Sequence, residues 1–409
     1  MERPTQTRVK HHILEDYLDT WGGIILNGLR GPYQRSKAEG WDASFQARFV
    51  YVDCFAGPGR YEQEGQEVDG SPLIGIRLLD KHKEWADKDK EIVTPQIASI
   101  LIEEDKGTYK ILLNNLNNQG FGERVREGAD IASIQDGEIA IINGDYRDYV
   151  SSLLSYSGQD DYTWAFYLLD PNGPLGIPLD AVGRIVSQPR HDVMINFQLD
   201  VVYRRGKGLA EKGDIPRLRT QRGYINTMYG SAESWQGLAK ELDGEDLQRA
   251  YAERYRSVLE KQDPELAVKM IPLRFQDVEK VIYYLHLTTH DGTGGLTRNQ
   301  ILDSARISEY DYRQERRRTT GGQLELPGMA AVEEPGRPTV EQADIPEVAG
   351  EIRERCQLGE DIPYREVLKR MVNSAYYPED VEAAMKYLKE KEEADYGTPL
   401  RNTTMVRFS

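Results

Sequence analysis

The stretch Phe49–Tyr61 constrains the fold of this chain more than any other. Phe49–Val52 are aromatic or β-branched, as expected of a strand buried on both faces of a parallel sheet. Asp53 follows at the carboxyl end of that strand, where open α/β sheets bind their ligands. Gly57 and Gly59 then permit a tight turn and a close approach to a ligand, because they lack a Cβ. The pattern predicts either a ligand site or an ordinary glycine turn.

Composition indicates a globular protein with room for two or three domains. The chain has 409 residues, 39% of them hydrophobic and 29% charged. We find no apolar run long enough to span a membrane and no signal-peptide core at the N-terminus. The two cysteines, Cys54 and Cys356, support neither a disulfide framework nor a zinc site, so we expect a cytoplasmic protein without a metal site. Because the net charge is −16, any nucleic-acid contact must come from a local basic patch.

Strands and helical segments alternate along the first three quarters of the chain. Thr5–Asn27 has the periodicity of an amphipathic helix, and Gly28–Phe45 is polar and predicts a loop. After the strand that ends at Asp53, further apolar runs predict strands at Ile97–Ile102, Ile139–Ile142, Trp164–Leu169 and Val193–Phe197, and a hairpin from Lys269–Phe275 and Val281–Thr289. This alternation predicts an α/β fold with a doubly wound, mostly parallel sheet.

Polar groups follow three more of the predicted strands. Glu103 ends the second strand, and its carboxylate can accept both hydroxyls of a ribose, although acidic clusters also begin helices. Asp145 and Tyr146 follow the third strand, where they are candidates for contact with an adenine or form an Asx turn. The segment Asp170–Gly173 follows the fourth strand and predicts either an amine-binding turn or a simple tight turn.

A locally basic segment spans residues 203–224 of this acidic chain. Seven basic residues stand against two acidic ones, and glycines at 206, 208 and 213 lie among them, so we expect a flexible loop inserted in the first domain. The segment is either a solvent-exposed loop or a contact surface for a phosphate backbone. The candidate nucleic-acid-binding residues are Arg204, Arg205, Lys207, Arg217, Arg219 and Arg222.

The remaining chain divides into a linker and a small C-terminal domain. Residues 311–344 have a linker composition, and within them Gln323–Pro327 resembles peptides that dock on the bacterial sliding clamp. Residues 345–409 have the order helix, turn, helix, strand, wing, strand, which predicts a winged-helix-like α+β domain. From Val340 onward we count fifteen acidic and ten basic residues, so protein contact is at least as plausible there as DNA contact. Residues 1–310 form the predicted α/β domain.

Taken together, these motifs resemble a known family. The pattern D-x-F-x-G-x-G at Asp53–Gly59 resembles the first motif of class I S-adenosylmethionine (AdoMet) methyltransferases. Further motifs are Lys10–Leu18, Gly70–Leu73, Ile102–Asp105 and the segments that begin at Asp170 and Ile195. Together with Asp53–Gly59, these motifs resemble the bacterial three-Cys-motif partner proteins over roughly residues 5 to 310. The order of motifs is also similar to that of large-subunit rRNA adenine methyltransferases.

The resemblance implies AdoMet as the cofactor. The basic segment makes nucleic acid the expected substrate, with the family's own substrate not carried over. The resemblance implies cofactor contacts from Lys10, Asp53, Phe55, Ala56, Gly57, Gly59, Glu103, Asp145, Tyr146 and Asp170. It implies methyl transfer to an exocyclic amino group of a base through Asp170, Pro171 and Asn172, although no aromatic follows Asn172 and Phe197 or Tyr203 would have to replace it. The alternative is a non-catalytic nucleotide-binding or adaptor protein that works with a three-Cys-motif partner.

Overall fold

The computed structural model describes residues 5–40, 46–63, 65–158, 160–171, 176–211, 219–275, 278–291, 299–300, 303, 307, 342–372 and 374–409. The chain divides into two compact units. The first comprises Met1–Thr7 and Leu18–Asp291, and the second comprises Arg8–Tyr17 and Gly292–Ser409. The predicted linker at 311–344 lies outside the described residues up to position 341, and so does the clamp-like peptide at 323–327.

Helices and strands alternate from the N-terminus to residue 289. The helices are α1 (Thr5–Ala38), α2 (Ser71–Lys88), α3 (Lys106–Asn118), α4 (Tyr146–Ser157), α5 (Leu179–Val186), α6 (Leu199–Glu211), α7 (Arg219–Tyr229), α8 (Leu238–Glu241) and α9 (Gly244–Glu260). The strands are β1 (Arg48–Asp53), β2 (Arg60–Gln63), β3 (Gln66–Asp69), β4 (Gln96–Glu103), β5 (Val125–Glu127), β6 (Ile139–Asn143), β7 (Thr163–Leu169), β8 (His191–Phe197), β9 (Ala267–Phe275) and β10 (Val278–Thr289).

An eight-stranded sheet forms the centre of the first unit. Its strand order is β5-β6-β4-β1-β7-β8-β10-β9. All neighbours are parallel except that β10 runs antiparallel to both β8 and β9. This confirms the predicted doubly wound, mostly parallel sheet and its terminal hairpin. The order, with the first strand central and an antiparallel strand inserted near one edge, is that of the class I methyltransferase fold. The short ribbon of β2 and β3 lies outside this sheet.

Strand β1 is buried on both faces, and its alternating side chains fix the two helical layers. Val50 and Val52 belong to the large core that also contains apolar residues of α4, α5 and α9. Phe49 and Tyr51 face the other way, where the Phe49 ring lies 5.1 Å from that of Trp21 on α1. Because burial on both faces requires apolar residues throughout, only the strand ends are free to carry polar groups.

The predicted loop after Asn27 is wrong in its first part, because α1 continues to Ala38. Leu29 is buried and packs with Ala47 and Val93, and Tyr33 packs against the same cluster one turn later. Arg30 pairs with Asp89 at 2.8 Å. These tertiary contacts offset the low helix propensity of the glycines in this stretch.

The flexible loop predicted at 203–224 is likewise wrong for the described residues, which lie on α6 and α7. Val202 and Leu209 are buried on α6. A Cβ on Gly206 would lie 2.8 Å from Tyr251 Oη, so this glycine permits close packing of α6 against α9. The glycine that suggested flexibility therefore serves helix packing. Residues 212–218 lie outside the described part of the chain.

The second unit has its own apolar core. Its described helices are Ile345–Arg355, Tyr364–Met371 and Pro378–Glu390, and its strands are Asp361–Pro363, Ala394–Tyr396 and Met405–Phe408. The last strand pairs antiparallel with both others. The helices and strands expected from the sequence are present, and the helix at Ile345 and the strand at Asp361 are additional. The winged-helix assignment itself stays a prediction.

Candidate functional site

The carboxyl ends of the central strands meet at one edge of the sheet. Asp53 on β1 is level with Leu101 on β4 and Leu168 on β7, so the two neighbours extend one or two residues further. Glu103 at the end of β4 pairs with Asn143 at the end of β6. The polar groups predicted from the sequence therefore lie at the same edge of the sheet as the turn that follows β1.

That glycine turn is held in a conformation that other residues rarely adopt. Gly57 has a φ of 59° and Gly59 a φ of 75°, in the left-handed region that favours glycine. A Cβ on Gly59 would lie 2.7 Å from Leu112 Cδ1, so the space beside it is also closed. The Gly70 N–H donates to the Gly59 carbonyl at 2.7 Å, and the Ala56 N–H donates to Ile102 O at 3.0 Å. Backbone hydrogen bonds thus tie the turn to its neighbours.

Glu103 is bound directly to this turn. Its Oε2 accepts from the Gly57 N–H at 2.9 Å, and its Oε1 accepts from the Asp105 N–H at 2.8 Å. Because each carboxylate oxygen has a second lone pair, the group can still accept two hydroxyls. The half-buried side chain is therefore fixed in place while it retains acceptor capacity.

Asp53 lies fully buried beneath the turn. Its Oδ1 accepts from the Phe55 N–H and its Oδ2 from the Tyr51 hydroxyl, both at 3.1 Å. Burial raises the pKa of Asp53 to about 7, hydrogen bonds led by Ser71 oppose that rise, and the charge of Asp170 adds to it. The carboxyl group is therefore poised to change its charge near neutral pH. Tyr51 and Ser71 are partners that the motif alone did not reveal.

Asp145 and Tyr146 lie where β6 passes into α4. Asp145 caps α4, with its Oδ1 accepting from the Arg147 N–H at 3.0 Å. The Arg147 guanidinium pairs with the same carboxylate and holds the pKa of Asp145 below its usual range. Tyr146 is buried, donates its hydroxyl hydrogen to the Gly176 carbonyl at 2.8 Å and packs against Phe55. The Asx-type turn is present, and contact with an adenine stays a prediction.

Asp170 and Pro171 follow β7 and are contacted by side-chain amides from β8 and the residue after it. Asn196 Nδ2 donates to Asp170 Oδ1 at 2.6 Å. Gln198 Nε2 donates to the Pro171 carbonyl at 2.5 Å. Asn172, the third predicted catalytic residue, lies outside the described residues. Sequence reasoning did not select Asn196 or Gln198, although Asn196 is the one polar residue in the run Val193–Phe197.

Of the two aromatics proposed to stack on a base, Phe197 is excluded by its burial, and the role of Tyr203 stays a prediction. Phe197 is fully buried and stacks on Tyr255 with 5.2 Å between ring centroids. Tyr203 donates its hydroxyl hydrogen to Asp243 at 3.2 Å. Tyr283 on β10 is a better candidate, because it is half-buried and, after burial itself, the charge of Asp170 is the cause that raises its pKa. No pattern around Tyr283 distinguishes it in the sequence.

Those of the predicted nucleic-acid-binding residues that the structure describes lie on α6 and α7. Arg204, Arg205 and Arg219 are exposed. Arg222 is half-buried and donates to the Leu209 carbonyl at 3.0 Å. The side chain of Lys207 and the whole of Arg217 lie outside the described part of the structure. The exposed arginines therefore project from helices, and their contact with nucleic acid stays a prediction.

Lys10 is the predicted cofactor contact that lies outside the first unit. Lys10 belongs to the α1 segment that forms part of the second unit, and its cofactor role stays a prediction.

In the described part of the chain, no group of three or more His, Cys, Asp or Glu side chains is arranged to hold a metal ion. Among the described helices, none combines the length and apolar character needed to cross a membrane.

The strand order and the loop geometry define a class I methyltransferase-like α/β fold with polar residues at the carboxyl ends of its central strands. No family model matches the chain, and no curated protein matches it. A solved structure described as a sarcosine dimethylglycine methyltransferase from Galdieria sulphuraria is similar at 11% identity and a TM-score of 0.24, over 66% of this chain and 84% of that one. A likeness this weak carries no argument, so the fold class rests on strand order. Membership of the three-Cys-motif partner family and similarity to rRNA adenine methyltransferases stay predictions.

Proposed function

We propose that this protein is an AdoMet-dependent methyltransferase. The observation that carries the proposal is the 2.9 Å hydrogen bond from the Gly57 N–H to Glu103, which joins the glycine turn to the acid of the next strand. A turn with two left-handed glycines beside a fixed carboxylate suits a nucleoside with a charged tail. The residues present therefore fit AdoMet.

In this proposal, the residues at each strand end bind a different part of AdoMet. The Gly57–Gly59 turn passes beneath the methionine half, and Asp53 supports that half through the Phe55 N–H and its other hydrogen bonds. Glu103 accepts the ribose hydroxyls, and Asp145 lies on the adenine side. Bound AdoMet supplies an electrophilic methyl group on a sulfonium. Because methyl transfer needs little covalent help, the protein has mainly to orient the acceptor.

For the substrate, the proposal is an exocyclic amino group of a nucleobase in DNA or RNA. Asp170, which follows β7, lies near enough to Asp53 for its charge to raise the pKa of Asp53, and this supports an acceptor amine beside the proposed cofactor site. A carboxylate there accepts a hydrogen from the amine and turns its lone pair toward the methyl group. The exposed Arg204, Arg205 and Arg219 are the proposed contacts to phosphates. A three-Cys-motif partner protein is the proposed associate.

A second candidate is the adaptor function without catalysis. It is favoured by the hydrogen bond from Gln198 that already occupies the Pro171 carbonyl, which an amino methyltransferase of the expected type would use. Since a carbonyl oxygen has two lone pairs, the Pro171 carbonyl can still accept one further hydrogen bond. The contact with Gln198 therefore limits the expected role of this carbonyl in binding the amine but does not remove it. The two candidates differ in whether any methyl group is transferred.

The deciding experiment measures transfer of labelled methyl from AdoMet into pooled cellular DNA and RNA. We expect the wild type to transfer methyl groups both with and without the three-Cys-motif partner. Asp170→Ala should lose methyl transfer, while its affinity for AdoMet should stay nearly unchanged. Asp170→Asn is the matched control, and it should retain partial activity because an amide oxygen still accepts a hydrogen. Full transfer by Asp170→Ala would place the chemistry elsewhere. No transfer by the wild type would favour the adaptor function.

A further inference from the structure

Asn196 is a buried amide in a strand that is otherwise apolar at its centre. Val193, Met194, Ile195 and Phe197 surround it on β8, and all of them are buried. Asn196 is itself only 3% exposed. Because burial of an amide is unfavourable unless its hydrogen-bonding groups are satisfied, this position calls for a specific reason.

The contact with Asp170 fixes which way the amide points. An ionised carboxylate only accepts hydrogen bonds, so the NH₂ group must face Asp170, as it does at 2.6 Å. The carboxamide oxygen of Asn196 then points elsewhere. That oxygen has no hydrogen-bond partner among the described residues. A buried acceptor without a donor from the described residues thus lies beside the carboxylate proposed to bind the amine.

The backbone acceptor next to Asp170 is engaged at the same time. Gln198 Nε2 lies 2.5 Å from the Pro171 carbonyl oxygen. Gln198 and Asn196 come from one segment and approach neighbouring acceptors, Pro171 and Asp170, with their NH₂ groups. Of these groups, the Asn196 oxygen is a buried acceptor that receives no hydrogen bond from the described residues.

We propose that the Asn196 side-chain oxygen and Asp170 together accept the two hydrogens of the amine that receives the methyl group. This inference rests on the proposed methyltransferase function and names a further substrate-binding residue for it. The amine nitrogen bonds to the methyl carbon while the carbon–sulfur bond breaks, with that electron pair remaining on sulfur. The surplus proton on nitrogen passes to the Asp170 carboxylate and from there to water. Two acceptors hold the nitrogen so that its lone pair points at the methyl group.

The test does not need the natural acceptor. Sinefungin carries an amine in place of the sulfonium methyl of AdoMet, whereas S-adenosylhomocysteine has neither group. The ratio of their affinities therefore reports the contacts made by an amine at the transfer position. We expect wild type to prefer sinefungin and Asn196→Ala to lower that preference by about tenfold, as for loss of one buried hydrogen bond. Binding of S-adenosylhomocysteine should be unchanged, which also shows that the variant is folded.

Two further variants separate the possible roles of these amides. Asn196→Asp keeps an acceptor oxygen and loses the donor to Asp170, so an acceptor role predicts that the sinefungin preference is retained. If Asn196→Asp loses the preference as fully as Asn196→Ala, Asn196 acts only by holding Asp170, and the inference is overturned. Gln198→Ala frees the Pro171 carbonyl, and an increased sinefungin preference in that variant would overturn the inference by assigning the amine to that carbonyl.

The remaining outcomes also decide the question. An unchanged preference in Asn196→Ala, with intact S-adenosylhomocysteine binding, would overturn this inference and leave the cofactor proposal standing. Binding of neither compound by the wild type would overturn the cofactor proposal, and this inference would fall with it.

Discussion

The turn after β1 and the turn after β7 leave the same edge of the sheet but are held by different kinds of contact. Around the first turn, most of the hydrogen bonds come from backbone N–H groups. The Gly57 N–H donates to the Glu103 carboxylate, the Ala56 N–H to the Ile102 carbonyl and the Gly70 N–H to the Gly59 carbonyl. Around the second, side-chain amides from the β8 segment bind Asp170 and Pro171. Backbone contacts follow from local geometry, whereas amide contacts depend on which residues a neighbouring strand supplies.

This difference separates two functions that can vary independently. A backbone-held turn suits a cofactor that does not change, because few substitutions alter its hydrogen bonds. An amide-held turn changes its acceptors with one or two side chains, which suits a site that determines the substrate. The comparison predicts that changes at the β1 turn remove cofactor binding and that changes at the β7 turn spare it.

The largest expected effect is at Gly59. Gly59→Ala places a methyl group 2.7 Å from Leu112 at a φ of 75°, so both the contact and the backbone are unfavourable. Gly65→Ala is the matched control, because its φ is 77° and no atom lies within 4 Å of the added Cβ. Both should lose about 1–2 kcal/mol from the backbone conformation. Only Gly59→Ala should lose more in urea unfolding and abolish AdoMet binding in calorimetry.

An outcome in which Gly59→Ala binds AdoMet like the wild type would show that the turn does not have to keep this shape. Equal destabilisation of the two variants would show that the contact with Leu112 relaxes freely.

A smaller effect is expected from the charge of Asp53. Burial holds the pKa of its carboxyl near 7, above the ordinary value of 3.8. Between these values the folded protein keeps a proton that the unfolded chain releases, so this group's contribution to stability falls as pH rises through that window. Because AdoMet carries an ammonium in its methionine half, its binding favours the carboxylate. Its affinity should therefore rise by about tenfold between about pH 6 and pH 8.

Asp53→Asn isolates this effect, since AdoMet itself titrates identically with both proteins. The ratio of wild-type to variant affinity should rise with pH across that interval. A ratio that stays constant would show that Asp53 carries no charge-dependent part of binding.

The smallest expected effect is at the basic helices, away from both turns. Arg204→Ala with Arg205→Ala should flatten the salt dependence of nucleic-acid binding by about two contacts, because each phosphate contact contributes a slope of about 0.9. Arg249→Ala is the control, since Arg249 is exposed on α9 and pairs with Glu253. If the double variant and the control have the same slope, these arginines do not contact phosphates.

The sequence predicted the strands and the groups at their ends because both are local properties. An apolar run followed by Asp53 and two glycines indicates a strand and its turn without reference to the rest of the chain. The amide contacts at Asp170 were not predictable in the same way. Asn196 is odd in its strand, but nothing in the sequence says that it faces Asp170 rather than solvent.

The errors in helix assignment have a similar cause. Gly28 and the glycines at 206 and 208 suggested loops, yet both stretches are helical. Leu29 is buried, and Gly206 lies against Tyr251. Partners distant in sequence decide whether a glycine ends a helix or permits close packing, so local propensity was overridden.

The central claim is that the β1 turn and Glu103 together bind AdoMet, and calorimetric titration tests it most directly. Glu103→Ala should weaken AdoMet binding by about 1–3 kcal/mol, because a fixed polar contact to the ribose is lost. Glu104→Ala, at the exposed neighbouring acid, should bind like the wild type. Equal AdoMet affinity in wild type, Glu103→Ala and Glu104→Ala, or no binding by the wild type, would contradict the account.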